Sequence, residues 1–333
     1  MQSKQYLPVK VKPYRHQKEA VNFANKVLGY SGKPAISKSV AILAEMGTGK
    51  TLITIALAGQ LFKAGQIKKM LIVAPLSITS VWVEEFQKFA DFPFVIQVLN
   101  SKISVKSETL RKIDLLAHYD NALSVAVINY ESAWRIEGEL AFWRPNLIVC
   151  DESTKIKNPQ AKQAKAMHRL GRVSNHNIIL TGTPITNNPL DFYSQYKFLD
   201  EKIFGTSFYV FRAKYAILGG YGNHQIIGYK NLDELTSKAH AIAYRITKAE
   251  ALDLPEQVDV TRLVQLEFRA EAIYRKMEWE SVAELEGGEV TATNVLTKLL
   301  RLSQVTGGYL RSAVSERAEE ISRAKMDALI EIV

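Results

Sequence analysis

A glycine-rich segment at residues 44–51, Ala-Glu-Met-Gly-Thr-Gly-Lys-Thr, limits the folds open to this chain more than any other feature. An apolar run at 39–43 precedes it and another at 52–57 follows it. This order of strand, glycine-rich turn, Lys-Thr and helix is that of a phosphate-binding loop. The turn needs glycine so that consecutive backbone N–H groups can surround phosphate oxygens. The following helix directs its positive end at the same anion. The segment therefore predicts nucleotide binding.

The loop also assigns roles to its side chains. Lys50 is expected to reach the β- and γ-phosphates of the nucleotide, and the Thr51 hydroxyl is expected to ligate Mg²⁺. The first position is Ala44 where the strict pattern has glycine, so the motif departs once from its usual form. The predicted nucleotide contacts in this segment are Glu45, Met46, Gly47, Thr48, Gly49, Lys50 and Thr51.

Apolar runs alternate with helix-like stretches from residue 40 to residue 181. Strands are predicted at Val40–Leu43, Met70–Ala74, Phe94–Leu99, Val125–Asn129, Leu147–Cys150 and Asn177–Thr181. Helices are predicted at 51–64, 80–90, 106–118, 131–143 and 160–170. Because the apolar runs are continuous, the strands should be buried on both faces, as in a parallel sheet covered by helices. The predicted fold is α/β, with the ligand at the carboxyl ends of the strands.

The pattern changes after Asp200, and three regions are predicted. Residues 1–200 form the nucleotide-binding lobe, 201–255 a mainly helical insertion, and 256–333 the incomplete start of a second lobe. The boundary is placed at Leu254–Pro255 because a residue before proline is driven out of helical conformation. Beyond it we predict a strand at Val258–Phe268. Helices are predicted at Ala270–Ala283, Asn294–Val305 and Ala324–Val333.

Composition restricts the partners and the compartment. Lys and Arg number 43 against 34 Asp and Glu, a net charge of +9. Such an excess suggests a polyanion such as nucleic acid, although a solvated basic surface is an equal alternative on charge alone. The single Cys150 excludes an internal disulfide. No apolar run reaches the ~18 residues that span a bilayer. We expect a soluble cytoplasmic protein with no membrane partner.

An acidic pair, Asp151 and Glu152, ends the apolar run at 147–150. In nucleotide hydrolysis the first acid would hold Mg²⁺ and the second would orient and deprotonate the attacking water. Alone, the pair is more simply a helix cap, since Asp is a favoured capping residue. Together with the phosphate-binding loop it indicates hydrolysis, with Lys50, Asp151 and Glu152 as the catalytic residues.

Polar residues follow other predicted strands as well. Thr181, Gly182 and Thr183 could relay between the γ-phosphate and bound nucleic acid. The ends of two further strands could contact phosphate or sugar; they carry Pro75 and Ser77, and Asn129 and Tyr130. Each segment is equally compatible with an ordinary turn or helix start. The aromatic residues between 204 and 215 could stack on bases, but packing in a helical core is the favoured interpretation.

Together these residues resemble the Swi/Snf-like branch of the superfamily-two helicases, which are ATP-driven DNA translocases. The motifs that carry the resemblance are Pro13–Gln17, Glu45–Thr51, Leu71–Ser77 with Trp82, Asn129–Glu131, Asp151–Glu152 with Lys155–Asn158, Leu180–Ile185 with Asn187 and Asn188, Arg245–Lys248 with Leu254–Pro255, and Leu299–Leu310. The resemblance implies a RecA-like lobe, ATP with Mg²⁺, duplex DNA as partner, and a second RecA-like lobe to complete the ATP site. It further implies that Gln17 contacts adenine, that Lys155 and Lys157 contact nucleic acid, and that residues 181–183 couple the two sites.

The sequence departs from the family pattern in two places. Ser153-Thr154 replaces the Ala-His or Ser-His that usually follows the acidic pair. In the family this His helps to couple the nucleotide state to the nucleic-acid path, so the replacement bears on that coupling. No Gln-x-x-Gly-Arg-x-x-Arg sequence occurs before Val333. Because such arginines stabilise the transferring phosphoryl group, this chain alone is expected to hydrolyse ATP weakly or not at all. The main hypothesis is the ATP-binding lobe of a DNA-dependent translocase. The alternative is a nucleotide-responsive DNA- or partner-binding module without turnover.

Overall fold

Seven parallel strands form the central sheet of the computed structural model, in the order β3-β4-β2-β5-β6-β1-β9. The strands are β1 (Ser39–Ala44), β2 (Lys69–Ala74), β3 (Phe94–Val98), β4 (Leu123–Asn129), β5 (Leu147–Asp151), β6 (His176–Thr181) and β9 (Ala243–Ile246). The structure describes residues 7–99, 106–119, 121–182, 189–220, 222, 225–253, 258, 260–286, 292–311 and 318–332. Two compact units divide the chain, Met1–Leu254 and Pro255–Val333, and the sheet belongs to the first.

Helices flank the sheet in the first unit. They are α1 (Arg15–Val27), α2 (Lys50–Lys63), α3 (Thr79–Phe89), α4 (Lys106–Ala117), α5 (Tyr130–Ala133), α6 (Glu137–Trp143), α7 (Lys162–Val173), α8 (Asp191–Leu199), α9 (Glu201–Phe204), α10 (Phe208–Tyr215), α11 (Leu232–His240) and α12 (Lys248–Ala251). Every residue of β1, β4 and β5 is buried, as their continuous apolar runs require. The predicted α/β fold, a RecA-like parallel sheet flanked by helices, is confirmed, and each of the six predicted strands is present.

The sheet has one strand that the sequence did not predict. Strand β9 lies at its edge and pairs with β1, where Ala44 is opposite Ile246. It falls in the stretch 201–255, which also contains four helices and a hairpin of β7 (Ala216–Gly219) and β8 (Gln225–Tyr229). The aromatic side chains of this stretch pack on one another: Phe211 lies 5.1 Å from Phe204 and 4.8 Å from Tyr215 between ring centroids. This contact agrees with core packing rather than base stacking.

The second unit contains α13 (Phe268–Glu286), α14 (Ala292–Thr306), β10 (Tyr309–Arg311), β11 (Ala318–Glu320) and α15 (Ala324–Ile330). A small core of Ala270, Val305 and Ile321 joins the two longer helices to the hairpin. The strand expected at Val258–Phe268 is wrong for its described residues. They have no strand partner, Val260 and Leu263 are 83% and 93% exposed, and Phe268 already begins α13. Within the described ranges, no helix combines the length and hydropathy that crossing a membrane requires.

Acid should destabilise the first unit through His168, which lies on α7 and is 6% exposed. Its Nε2 lies 2.9 Å from the Ser194 carbonyl oxygen on α8, so the ring N–H donates to that oxygen. The pKa of His168 is lowered from 6.5 to about 4, mainly by burial, and the nearby Lys197 contributes to this decrease. The unfolded chain therefore binds more protons than the folded chain between these values. Stability is full above pH 6.5 and decreases towards pH 4, with about 2 kcal/mol lost between pH 7 and pH 5.

Urea denaturation of the wild type and of His168→Gln at pH 7 and pH 5 measures this loss. Glutamine does not titrate, and its amide can still donate to Ser194, so the variant should have a pH dependence smaller by about 2 kcal/mol. An unchanged pH dependence in the variant would assign the acid sensitivity to other groups.

Candidate nucleotide site

The loop between β1 and α2 has the backbone conformation that its glycines allow. Gly47 and Gly49 both have a φ of +85°, in the left-handed region that other residues rarely adopt. A Cβ atom on Gly49 would lie 2.3 Å from the Gln17 side-chain nitrogen. Inside the loop, the Thr48 hydroxyl donates to the Glu45 carbonyl oxygen over 2.7 Å. The loop is thus closed on itself, with α2 beginning at Lys50.

Lys50 carries the ammonium group that an incoming phosphate would meet in the loop. Its Nζ donates to the carbonyl oxygen of Ala44 over 2.9 Å, which keeps the ammonium within the loop. Burial lowers the pKa of Lys50, while Glu152 and Asp151 favour its charged form. A partly desolvated ammonium interacts more strongly with an incoming anion than one in water, because the local dielectric is lower.

Helix α1 supports the loop from one side. Nε2 of His16 lies 2.8 Å from the Thr48 carbonyl oxygen, and the Gln17 amide donates to the same oxygen over 3.2 Å. Gln17 also accepts from the Tyr14 backbone N–H over 2.9 Å and is 6% exposed. The structure thus places Gln17 against the phosphate-binding loop, and its contact with adenine stays a prediction. This contact of His16 with the loop is not predictable from the local sequence pattern.

Strand β9 supports the loop from the other side. The Glu45 backbone N–H donates to the Ile246 carbonyl oxygen over 3.1 Å, and the Glu45 carboxylate accepts from the Lys248 backbone N–H over 2.8 Å. Met46, the neighbour of Glu45, is 71% exposed. Glu45 therefore has a clear structural role, which is to fasten the loop to the sheet edge.

The acidic pair stands at the end of β5, two strands away from β1. Asp151 is 7% exposed, and its carboxylate accepts from the Trp82 indole N–H over 3.0 Å and from the Glu152 backbone N–H over 2.9 Å. The Tyr130 hydroxyl donates to the Asp151 carbonyl oxygen over 2.7 Å. Burial raises the pKa of Asp151, and the hydrogen bond from Trp82 opposes that rise. Glu152 has a φ of +49°, an unusual conformation for a residue with a side chain.

The end of β6, with Gly182 directly after it, lies between the phosphate-binding loop and the acidic pair. Thr181 is fully buried and pairs with Leu43 of β1, while Leu180 pairs with Asp151 of β5. A Cβ atom on Gly182 would lie 3.4 Å from the Ala44 carbonyl oxygen, so Gly182 packs directly against the phosphate-binding loop. Thr183 lies outside the described residues. The structure therefore brings Thr181 and Gly182 to the site, as their predicted coupling role requires.

Comparison with known proteins identifies the family. Residues 16–307 match the family described as the SNF2-related domain. The chain belongs to this family. The structure of the Sulfolobus solfataricus SWI2/SNF2 ATPase core in complex with dsDNA has a TM-score of 0.61 and 25% sequence identity, and the match covers all of this chain and 66% of that one. The predicted membership of the Swi/Snf-like ATPases is confirmed.

Two relatives of known sequence illustrate the range of this SNF2-related family. Protein p41 of Acyrthosiphon pisum secondary endosymbiont phage 1 is 26% identical over 307 residues, which are 88% of this chain and 65% of p41. The DNA repair and recombination protein RAD54B of Gallus gallus is 33% identical over 198 residues, 57% of this chain and 20% of RAD54B. The chain thus spans about two thirds of the phage relative and a smaller part of RAD54B.

The side chains predicted to touch nucleic acid divide into two groups in this SNF2-related domain. Ser77 and Lys155 are exposed, and Pro75 is half-buried. Lys157 forms an ion pair with Asp191 at 3.7 Å. These positions remain candidates for a contact, with Lys157 also engaged inside the chain.

Asn129 and Tyr130 have structural roles instead. The Asn129 side chain caps α5 by accepting from the Ser132 backbone N–H over 2.7 Å. Tyr130 is 1% exposed and holds the Asp151 carbonyl, so its side chain is not available to nucleic acid in this structure. The alternative interpretation, in which this segment is a helix start, agrees with the hydrogen bond of the Asn129 side chain.

The donors of the site fit a magnesium ion that arrives with a nucleotide. Over the part of the chain that the structure describes, no three His, Cys, Asp or Glu residues are grouped as a metal site. Mg²⁺ is usually held by one or two carboxylates together with phosphate oxygens and water, and does not need a cage made of protein. A buried carboxylate at Asp151 and a hydroxyl at Thr51, both expected beside the phosphates, match that donor set.

Proposed function

We propose that this chain binds ATP with Mg²⁺ and is the ATP-binding lobe of a DNA-dependent translocase that moves on duplex DNA. One observation carries the proposal: β6 lies between β1 and β5, where Leu43 of β1 is opposite Thr181 and Asp151 of β5 is opposite Leu180. Lys50 is the first residue of α2, directly after the phosphate-binding loop. Asp151 is the last residue of β5, and Glu152 follows it. A basic phosphate-binding loop and an acidic pair are two recurring parts of a nucleotide hydrolysis site.

The binding step follows from the loop. Backbone N–H groups at 47–51 and the ammonium of Lys50 would surround the phosphates, and the start of α2 adds a favourable dipole. Thr51 and Asp151 would hold Mg²⁺, which neutralises charge on the transferring phosphoryl group when it is bound. Glu45 and His16 keep the loop in place through the hydrogen bonds at its two sides.

The hydrolytic step is assigned to Glu152. Its side chain is half-buried, next to the fixed Asp151, and its carboxylate can orient a water molecule and take its proton. A binding module without turnover is not favoured by the comparisons, and the acidic pair that turnover needs is present. A second RecA-like lobe is part of the proposal, because it would supply further charge on the opposite side of the phosphates.

Duplex DNA is the proposed track. The chain has a net charge of +9, and the SWI2/SNF2 core that it resembles was solved with dsDNA. Ser77 and Lys155 are the exposed side chains proposed to contact phosphate or sugar. Contacts with phosphate position a protein on DNA and do not read its sequence. We therefore expect binding with little sequence preference.

When this chain is joined to the second RecA-like lobe that completes its ATP site, duplex DNA is expected to stimulate ATP turnover more than single-stranded DNA or RNA does. Because phosphate contacts release counterions, the stimulation should decrease steeply as salt rises from 50 to 200 mM. Turnover assays with the three nucleic acids at several salt concentrations test this, with Lys50→Ala as the control for contaminating ATPases. Turnover that is the same with and without duplex DNA at low salt would overturn the DNA-dependent motor.

A further inference from the structure

A hydrogen bond joins the Trp82 side chain to the carboxylate of Asp151. Its indole Nε1–H donates to Oδ2 of Asp151 over 3.0 Å, between residues 69 positions apart in the sequence. Both partners are buried, Trp82 with 2% of its surface exposed and Asp151 with 7%. Since the other carboxylate oxygen accepts from the Glu152 backbone N–H, each oxygen of Asp151 has one fixed donor.

We propose that Trp82 is a positioning residue for the magnesium-binding carboxylate of Asp151, which rests on the proposed ATP·Mg²⁺ function of the site. The two donors approach different oxygens and so fix the rotation of the carboxylate group. Each ionised carboxylate oxygen has a further lone pair, which is left for the metal or its water. Groups that orient a metal ligand from behind typically change metal affinity 10- to 100-fold when they are removed.

The chemistry of the indole suits this task. Its N–H is a donor only, so Trp82 can hold the carboxylate and cannot compete with Asp151 for the metal or accept its proton. The ring is fixed by its surroundings, with Phe86 one turn further along α3 at a centroid distance of 6.4 Å. A fixed donor costs little entropy when the carboxylate is ordered, because the ring is already immobile.

The Asp151 backbone is held separately. The Tyr130 hydroxyl donates to the Asp151 carbonyl oxygen, and β5 pairs with β2 and β6 on its two sides. Loss of the Trp82 bond should therefore leave the position of Asp151 in the sheet unchanged and release only the rotation of its carboxylate. The expected defect is therefore confined to the binding of Mg²⁺.

Trp143 provides a matched control. It is buried like Trp82, with 3% exposed, but its indole nitrogen has no hydrogen-bond partner among the described residues. Trp143→Phe removes the same atoms from a buried ring without removing a hydrogen bond. Comparing Trp82→Phe with Trp143→Phe separates the role of the bond from the general effect of a smaller ring.

The experiment measures how the binding of ATP depends on Mg²⁺, by calorimetry at a series of Mg²⁺ concentrations. Trp82→Phe should need about 10-fold more Mg²⁺ than the wild type for half-maximal enhancement of ATP binding. Its ATP affinity in excess EDTA should equal that of the wild type. Trp143→Phe should have the wild-type Mg²⁺ requirement. Benzothienylalanine at position 82 keeps the shape of the ring and lacks only the N–H, so it should reproduce the Trp82→Phe defect in a chain that folds normally.

The outcomes are distinct. If the wild type binds no ATP with or without Mg²⁺, the proposed function fails at its first step. If the wild type binds ATP with Mg²⁺ and the benzothienylalanine protein has the same Mg²⁺ requirement, the positioning role of Trp82 is overturned and the proposed function stands. A raised Mg²⁺ requirement in both proteins altered at position 82, but not in Trp143→Phe, supports the inference.

Discussion

Lys50→Ala is expected to abolish ATP·Mg²⁺ binding by this chain. The substitution removes the ammonium of the loop's own lysine, whose Nζ lies 2.9 Å from the Ala44 carbonyl oxygen. Hydrogen bonds to charged groups contribute about 1.5–3 kcal/mol each, and Lys50 should make more than one to the β- and γ-phosphates. A loss of about 3 kcal/mol or more corresponds to an affinity at least about 100-fold lower. Alanine is the best helix former, so α2 should still begin at this position.

Calorimetry with ATP and Mg²⁺ measures the loss, and Lys63→Ala is the matched control. Lys63 is the last residue of α2 and is exposed, so its substitution removes the same charge from the opposite end of the same helix. The control should bind ATP as the wild type does. Unchanged binding by Lys50→Ala would remove the basis for the nucleotide site and for every step proposed from it.

Local patterns made much of this site predictable. The phosphate-binding loop and Asp151–Glu152 each follow a continuous apolar run, and a buried strand, a turn and a helix start are all encoded within a few neighbouring residues. The carboxyl ends of parallel strands meet at one edge of a sheet, so the fold prediction also predicted that these two motifs come together. The structure has this sheet, with Asp151 as the last residue of β5.

The supports of the site were not predictable in the same way, because they depend on tertiary contacts. Trp82 reaches Asp151 across 69 positions, and Lys248 reaches Glu45 across 203. Strand β9 has only four residues, one of them Arg245, so its own sequence does not indicate a strand. It is a strand because it pairs with β1. The opposite error occurs at 258–268, where the apolar residues predict a strand, but the described residues of this stretch have no strand partner.

Glu152→Gln is expected to reduce ATP turnover by about 10²–10⁴-fold and to leave ATP·Mg²⁺ binding nearly unchanged. Glutamine keeps the length and shape of the side chain but cannot take the proton of the attacking water. The backbone N–H of residue 152, which donates to Asp151, is retained. The carboxylate that holds Mg²⁺ should therefore keep its orientation in the variant. Single-turnover hydrolysis and calorimetry, both on this chain joined to the second RecA-like lobe, measure the two quantities.

The pair of measurements distinguishes a base from a binding residue. A Glu131→Gln variant, which changes an exposed acid at the start of α5, should match the wild type in both. If Glu152→Gln lost ATP binding and turnover together, Glu152 would belong to the binding groups and the proton would need another acceptor. If it kept full turnover, no carboxylate at this position would be required for hydrolysis. Loss of turnover with binding retained is the result that assigns the base, because only the acid–base property of the side chain has changed.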